Sequence, residues 1–178
     1  LIAKQGLKRL SIASVARRIG LVPSAIYRHF ENKDQMLDAA IDHIGEMLLT
    51  NVRIVCEETT GPVERLHRLL MRHIRLIREN VGIPRVVFSE EVYNGRPERK
   101  ATVYAMISKY LDRVATIVRE GQEQNRIRRD VDPKTVALMF LGLVQPVAIL
   151  WHMSDGKLEV TRHTEKAWKV FSEAIQAL

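Results

Sequence analysis

The chain lacks the residue patterns on which disulfide-linked, metal-dependent and many hydrolytic proteins depend. Its 178 residues include one cysteine, Cys56, which excludes an internal disulfide bond and fits the reducing cytoplasm. Cys56 follows an apolar run, where a small buried side chain is the usual role. The motifs Cys-x-x-Cys, His-Glu-x-x-His and Gly-x-Ser-x-Gly are absent, and His67 and His73 diverge on a helix. We therefore expect no catalytic residues, no metal site and no cofactor.

Glycine and proline are scarce, and the sequence shows no alternation typical of strands. There are 9 glycines and 6 prolines among long runs of good helix formers, which predicts an all-α protein. Hydrophobic residues make up 46% of the chain, enough for a core in one large domain or two small ones. The first residues, Leu-Ile-Ala-Lys-Gln, show no signal-peptide pattern.

Acidic residues are few at the start of the chain. Residues 1–33 contain seven lysines and arginines, Lys4 among them, but one acid, Glu31, within a chain of net charge +7. Such an excess either solvates a surface or meets an acidic partner, of which nucleic acid is the commonest. Its position on the motif described next favours DNA.

Residues 11–37 have the pattern of two short helices joined by a glycine-centred turn. Ser11 can cap the first helix, whose apolar residues Val15, Ala16 and Ile19 follow at helical spacing, and Gly20 ends it. The second helix is predicted over 24–30, with Phe30 in the core. This is the helix-turn-helix arrangement, whose second helix can enter the major groove of DNA.

Breaker residues divide the rest of the chain into further helices. Asn32, with Gln35 as its capping-box partner, is predicted to start a helix reaching about residue 56. Further helices are predicted at 62–80, 98–125, 134–153 and 161–178. A short helix ending at residue 88 is predicted between the first two. Leu1 to Leu7 reads as the end of a first helix capped by Gly6.

The helix at 134–153 contains 16 consecutive uncharged residues, 136–151. We expect it to be buried all round, either in the core or with one side against a partner chain. Its length and the internal Pro146 argue against a membrane span. The last helix carries an apolar face ending at Leu178, with Trp168 and Phe171, which suits an interface.

The residues 15–21, then Ala25-Ile26-Tyr27-Arg28-His29-Phe30, then Asn32-Lys33 and Leu37, closely resemble the DNA-binding domain of TetR-family transcriptional regulators. The resemblance covers roughly residues 1–47. It implies an all-α homodimer of about nine helices: an N-terminal three-helix helix-turn-helix domain and a C-terminal helical ligand-binding and dimerisation domain. We place these domains at 1–45 and 46–178.

The resemblance also assigns DNA contacts. Tyr27 and Lys33 would hold phosphates, and Ser11 either meets a phosphate or only caps its helix. Ser24, Ala25, Arg28 and His29 would face the groove, with Arg28 reading guanine and Ala25 touching a thymine methyl group. Pro23 and Ala25 depart from the polar residues common in the family, so readout leans on Arg28 and on DNA shape.

An effector pocket is predicted among the helices at 62–80, 98–125 and 134–153. Its sparse polar groups favour a small, mostly hydrophobic effector. The predicted lining consists of aromatic residues, a methionine and the few polar groups of these helices: His67, Met71, Phe88, Tyr104, Tyr110, Gln145, Trp151 and His152.

We therefore predict a cytoplasmic, sequence-specific DNA-binding regulator that dimerises through its last two helices. It would act as a repressor released from a palindromic operator by the effector. The alternative is a helical adaptor of the same fold that has lost DNA binding or effector control. The presence of Tyr27, Arg28 and Lys33 weakens this alternative, and loss of the positive charge of Arg28 and Lys33 would abolish DNA binding but leave an adaptor intact.

Overall fold

The computed structural model describes residues 1–2, 6–154 and 156–177. Ten helices follow in chain order: α1 Ile12–Ile19, α2 Pro23–Tyr27, α3 Lys33–Glu58, α4 Pro62–Glu79, α5 Gly82–Val87, α6 Glu90–Tyr93, α7 Pro97–Glu123, α8 Pro133–Gly142, α9 Gln145–Met153 and α10 Val160–Ile175. Within these residues there is no strand, only an isolated antiparallel bridge between Ile127 and Gln176. The all-α prediction is confirmed. Lys4 and Leu178, both used in the sequence argument, lie outside the described residues.

The chain forms two compact units. Unit 1 contains Leu1–Glu46 and Asn80–Met106, and unit 2 contains Met47–Glu79 and Ile107–Leu178. Residues 80–106 therefore belong with the helix-turn-helix segment. The functional division at residue 45 stays a prediction.

Unit 1 contains the predicted helix-turn-helix. Ser11 and Ser14 form a reciprocal cap, each backbone N–H donating to the other's hydroxyl, at 2.9 and 3.1 Å. Gly20 ends α1 in the left-handed region at φ 74°, where a glycine has no steric cost. Gly6, the predicted cap of the first helix, has φ 71°.

The small core of the motif joins its two helices. Ile12, Ala16 and Ile26 are buried together, and the partly buried Phe30 packs against them. Ile19, predicted to be buried, is instead 56% exposed. It is the last residue of α1, and Ile26 of α2 packs against the earlier residues Ile12 and Ala16.

The cap of α3 differs from the predicted capping box. Asn32 Oδ1 accepts from the backbone N–H of Gln35 at 2.9 Å, as expected. The Gln35 side chain reaches Glu31 instead of Asn32. Glu31 offers both a backbone donor and a carboxylate, so the amide of Gln35 makes two hydrogen bonds there at 2.9 and 3.0 Å.

Unit 2 has a continuous apolar core. Its largest fully buried side chains, at most 2% exposed, come from α3, α4, α7, α8 and the loop after α7: Val55, Leu66, Leu69, Leu70, Tyr110, Val114, Ile117, Val118, Ile127 and Phe140. The helices predicted at 62–80 and 98–125 are confirmed as α4 and α7. Gly121 is required here, because a Cβ atom would lie 2.5 Å from Cδ1 of Ile127.

The long apolar helix predicted at 134–153 is wrong in two respects. It is divided into α8 and α9, since Pro146 has no N–H for the carbonyl four residues earlier and its ring clashes with that carbonyl. The core of unit 2 covers only one side of it, so burial all round within one chain is wrong, while the alternative that a partner chain covers the other side stays a prediction. The exposed side chains are those of Leu138, Met139, Ile149, Leu150 and Met153, between 48% and 75% accessible.

One segment of the described chain, Pro133–Met153, has the length and apolar composition of a membrane-spanning helix. This segment includes Lys134 and His152 beside the uncharged run 136–151 on which the expectation against a membrane span is based. Composition of this kind is weak evidence for a membrane, since a core helix of a soluble protein shows it too. The segment is also interrupted before Pro146, so it does not form one continuous helix.

Candidate DNA-binding surface and effector region

The predicted DNA contacts lie at the cap of α1, on α2 and the turn that follows it, and at the first residue of α3. Six of them have exposed side chains: Ser11, Pro23, Ser24, Tyr27, Arg28 and His29. Ala25 and Lys33 are half-buried. Tyr27 is 56% exposed, so its aromatic ring and hydroxyl are available to a partner.

The second helix is shorter than predicted. It ends at Tyr27, and the backbone N–H groups of His29 and Phe30 both donate to the carbonyl of Ile26, at 2.9 and 3.0 Å. Arg28 and His29 thus lie in the turn after α2. Arg28 keeps helical dihedral angles, φ −70° and ψ −20°, so the backbone at this residue continues the turn of the helix.

The turn before α2 is apolar and exposed. Leu21 and Val22 are 50% and 64% accessible, and Val22 caps α2 without a side-chain hydrogen bond. Pro23 supports the start of the helix because its missing N–H would be unpaired there in any case. The entry to the recognition helix therefore offers few hydrogen-bonding side chains, in keeping with the expected reliance on Arg28.

Lys33 makes a contact that sequence reasoning missed. Its Nζ donates to the carbonyl of Leu7 at 2.6 Å and ties the 6–9 turn to the first residue of α3. An ammonium group has three donors, so this bond leaves donors for a phosphate oxygen. Nothing local in the sequence signals this contact, since 26 residues separate the two partners.

A second contact missed from the sequence lies in the next turn of α3. Asp34 and Asp38 both bond to Arg99, the one buried arginine among the residues with described burial. The spacing of two aspartates four apart places them on one helix face, but it does not identify their partner.

The predicted effector residues are divided between the two units. Phe88 and Tyr104 belong to unit 1 and are 42% and 74% exposed. The other six belong to unit 2. In unit 2, Met71, Gln145 and Trp151 are half-buried and His152 is exposed.

Two of the unit 2 residues already have well-defined partners. The Nε2 atom of His67 lies 2.9 Å from Glu165 Oε2, and its ring stacks on Trp168 at 5.1 Å between centroids. The Tyr110 hydroxyl lies 3.0 Å from His73 Nδ1 in the core. Both pairs hold α4 against another helix of the same unit.

Unit 2 also contains two open cavities, neither lined by the eight predicted residues. The larger, about 440 Å³, lies between α3 and α7 and is lined by Leu49, Val52, Arg53, Cys56, Lys109, Arg113, Thr116 and Glu120. The smaller, about 280 Å³, is lined by Asn51, Arg72, Arg75, Leu76 and Glu79. The larger groove combines an apolar floor with three cationic side chains. Burial raises the pKa of the Cys56 thiol, so it stays protonated there.

The described residues contain no group of three or more histidine, cysteine or acidic side chains placed to hold a metal ion.

Comparison with known proteins extends over nearly the whole chain. Residues 1–40 match the family model of bacterial regulatory proteins of the tetR family. Residues 59–175 match the model of the tetracyclin repressor-like C-terminal domain. The nucleoid occlusion factor SlmA of Shewanella pealeana is 23% identical over 168 residues, covering 94% of this chain and 85% of that protein.

Solved structures share the fold at low sequence identity. The transcriptional regulator FadR from Bacillus subtilis, in complex with stearoyl-CoA, superposes with a TM-score of 0.80 at 19% identity, covering 96% of this chain and 91% of that one. A putative transcriptional regulator from Saccharomonospora viridis, in complex with choline, has a TM-score of 0.85 at 20% identity, covering 100% and 93%. With both of its domains matched and the helix-turn-helix in place, the chain belongs to the TetR family of DNA-binding transcriptional regulators.

Proposed function

We propose that this chain is a homodimeric repressor that binds a palindromic operator and releases it when a small effector binds. The observation that carries the proposal is the exposed surface of α2 and its following turn. The side chains of Tyr27, Arg28 and His29 are exposed there and do not belong to the small core of the motif. A regulator of this kind works on DNA in the cytoplasm. The repressor reading follows from the family and from the basic character of residues 1–33.

The contacts divide by chemistry. Tyr27, Lys33 and Ser11 hold phosphates and set the position of the motif on the duplex. Arg28 reads a guanine through its paired donors, with Ser24, Ala25 and His29 beside it. Because a dimer presents two such helices, its half-sites lie about 34 Å apart along the DNA, or a multiple of that distance.

Replacing Arg28 and Lys33 by alanine is expected to separate base reading from phosphate binding. Arg28→Ala should cost about 1–3 kcal/mol at one base position and relax preference there. Lys33→Ala should weaken binding to all duplexes alike and lower the salt slope by about one. A preferred duplex is selected from a randomised pool, and binding to it and to a shuffled duplex is measured by fluorescence anisotropy at several salt concentrations.

Arg129→Ala is the matched control, because Arg129 is an exposed arginine of unit 2 whose Nε donates to the carbonyl of Gln122. It should leave both duplexes bound as by the unchanged protein. If the unchanged protein shows no salt-dependent binding to any duplex, the helical adaptor becomes the better interpretation. If Arg28→Ala and Lys33→Ala weaken both duplexes equally, the assignment of base reading to Arg28 is wrong.

We propose that the dimer forms through α8, α9 and α10, the helices in the predicted 134–153 and 161–178 segments. The apolar side chains exposed on α8 and α9 support this, and Val170 of α10 is 70% exposed as well. Helix α9 packs against both α8 and α10, so the three form one surface of unit 2.

The effector is proposed to bind unit 2 and to be mostly hydrophobic. Half-buried Met71, Gln145 and Trp151 remain candidates for its contacts. The groove between α3 and α7 is a second candidate, and its cations Lys109 and Arg113 favour a ligand with an anionic end.

Thermal unfolding with three probes tests the class of effector. Stearoyl-CoA and stearate combine a long apolar chain with negative charge, and choline is a small cation. We expect stearoyl-CoA and stearate to raise the melting temperature of the protein. Because an effector that prefers the DNA-free state weakens DNA binding, we also expect both to weaken DNA binding, and choline to do neither. Arg113→Ser should reduce the shift if the groove is used, whereas Gln145→Leu should reduce it if the α9 region is used. A larger shift with choline would contradict a hydrophobic effector.

A further inference from the structure

Unit 1 contains an ion-pair cluster around one buried arginine at the start of α3. The side chain of Arg99, in the first turn of α7, is 4% exposed. Its Nε donates to Asp38 Oδ1 at 2.6 Å, and its Nη2 donates to Asp34 Oδ1 at 2.8 Å. The exposed Arg96 adds a bond from Nη2 to Asp34 Oδ2 at 3.1 Å.

The cluster is balanced in charge. Two carboxylates face two guanidinium groups, and the hydrogen bond from Arg99 holds the pKa of Asp34 below its usual value. The bond to Asp38 in turn raises the pKa of Arg99. The side chains of Asp34 and Asp38 are each 43% exposed, and removal of Arg99 leaves their two carboxylates without the charge of that guanidinium.

The position of the cluster connects it to DNA binding. Asp34 directly follows Lys33, the proposed phosphate contact, and Asp38 lies one turn further along the same helix. Unpaired carboxylates this close to a phosphate-binding lysine lie within a Debye length of the DNA backbone and repel it. Arg96 and Arg99 cancel that repulsion and hold the first two turns of α3 in place.

Arg99 belongs to the part of the sequence that matches the family's C-terminal domain, residues 59–175, although in space it lies within unit 1. We propose that Arg99 is a positioning residue for DNA binding, which neutralises Asp34 and Asp38 beside Lys33 and fixes the start of α3. Any effector-dependent displacement of the first turn of α7 from α3 would then expose two negative charges beside the DNA. This inference rests on the proposed DNA-binding function and adds a means of regulating it.

The test compares three variants by fluorescence anisotropy on one 30-base-pair duplex, with circular dichroism to establish that each is folded at the assay temperature. Arg99→Met removes the charge and keeps much of the side-chain volume. It should weaken DNA binding about tenfold or more. Adding Asp34→Asn and Asp38→Asn to Arg99→Met removes the repelling carboxylates and should restore binding to within about threefold of the unchanged protein.

Asp38→Asn alone keeps the test decisive if Arg99→Met does not fold. Its amide oxygen can still accept from Arg99 Nε, so the helix stays in place while one negative charge is lost. Binding should be equal or up to about threefold tighter, and weaker binding would overturn the proposal. Asp130→Asn, at an exposed aspartate paired with Arg128 in unit 2, is the matched control and should leave binding unchanged.

The outcomes separate this inference from the function on which it rests. If the unchanged protein fails to bind the duplex, the proposed function is wrong. If it binds and folded Arg99→Met binds equally well, Arg99 does not position the DNA-binding helix. If the triple variant stays as weak as Arg99→Met, charge neutralisation is not the role of the cluster.

Discussion

A variant carrying Leu150→Glu and Met153→Glu is expected to be monomeric at concentrations where the unchanged protein is a dimer. Both side chains lie on the exposed side of α9, 52% and 75% accessible, within the apolar surface of α8 and α9. Five large apolar side chains exposed to water over two consecutive helices are unusual for a monomeric protein. A second copy of the chain would cover them.

The expected effect is large for two additive reasons. Covering the exposed part of each apolar side chain contributes about 1 kcal/mol, which the substitution removes. Burying a glutamate without a partner costs several kcal/mol more, unless the dimer opens. Because the interface of a two-fold dimer contains each site twice, we expect the dissociation constant to rise by at least about 1000-fold.

Sedimentation velocity over a range of protein concentrations measures this change. Tyr93→Glu is the matched control, since Tyr93 is a large exposed side chain, 54% accessible, that belongs to unit 1 and not to α8, α9 or α10. It should leave the dimer intact. A double variant that remains dimeric would show that other helices form the interface, and DNA binding by the monomer should be limited to one half-site.

Acid is expected to destabilise the fold through His73. This histidine is buried in unit 2, with Nδ1 3.0 Å from the Tyr110 hydroxyl and the two rings edge to face at 5.3 Å. Burial lowers the pKa of His73 from 6.5 to about 4. Burial also raises the pKa of Tyr110, so the phenol stays neutral and shares a hydrogen bond with the neutral imidazole.

The direction in which stability changes with pH follows from whether the folded or the unfolded chain binds the proton. Between pH 6.5 and pH 4 the unfolded chain protonates this histidine while the folded chain leaves it neutral, so stability falls as the pH falls. The contribution of His73 is fully present above pH 6.5 and is lost on the way down to pH 4. Between about pH 7.5 and 5, His73 alone should lower the free energy of unfolding by about 2 kcal/mol.

Urea unfolding of the unchanged protein and of His73→Gln at about pH 7.5 and pH 5 checks the prediction. Glutamine does not titrate and can still bond to the Tyr110 hydroxyl, so His73→Gln should lose about 2 kcal/mol of the pH dependence. His163→Gln, at an exposed histidine of the same unit, should keep all of it. Equal pH dependence in the unchanged protein and His73→Gln would mean that His73 is not the acid-sensitive group.

Local features were predictable because their causes lie within a few residues. The Ser11 cap, the turn at Gly20 and the shared burial of Ala16 and Ile26 depend on helical spacing and on backbone freedom at one glycine. The same is true of Pro62 and Pro133, which begin α4 and α8. The resemblance to the TetR family likewise rests on local sequence, that of the helix-turn-helix segment.

The errors occurred where a distant contact or a helix end decided the outcome. Ile19 follows the buried spacing of α1, yet the next helix packs elsewhere and leaves it in water. The apolar run at 136–151 predicted burial, but Pro146 divides it and only one side meets the core. Composition reports that a side chain avoids water without saying whether its own chain or a second copy covers it.

By itself the sequence determined the helical class, the DNA-binding motif and its family, because periodicity, capping and turn residues act over one or two helical turns. Only the tertiary structure revealed the pairing of Arg99 with Asp34 and Asp38, since 65 and 61 residues separate the partners along the chain. Likewise, the burial that shifts the pKa of His73 arises from helices far apart in sequence. Charge and burial in a folded protein depend on neighbours in space, which helical periodicity does not specify.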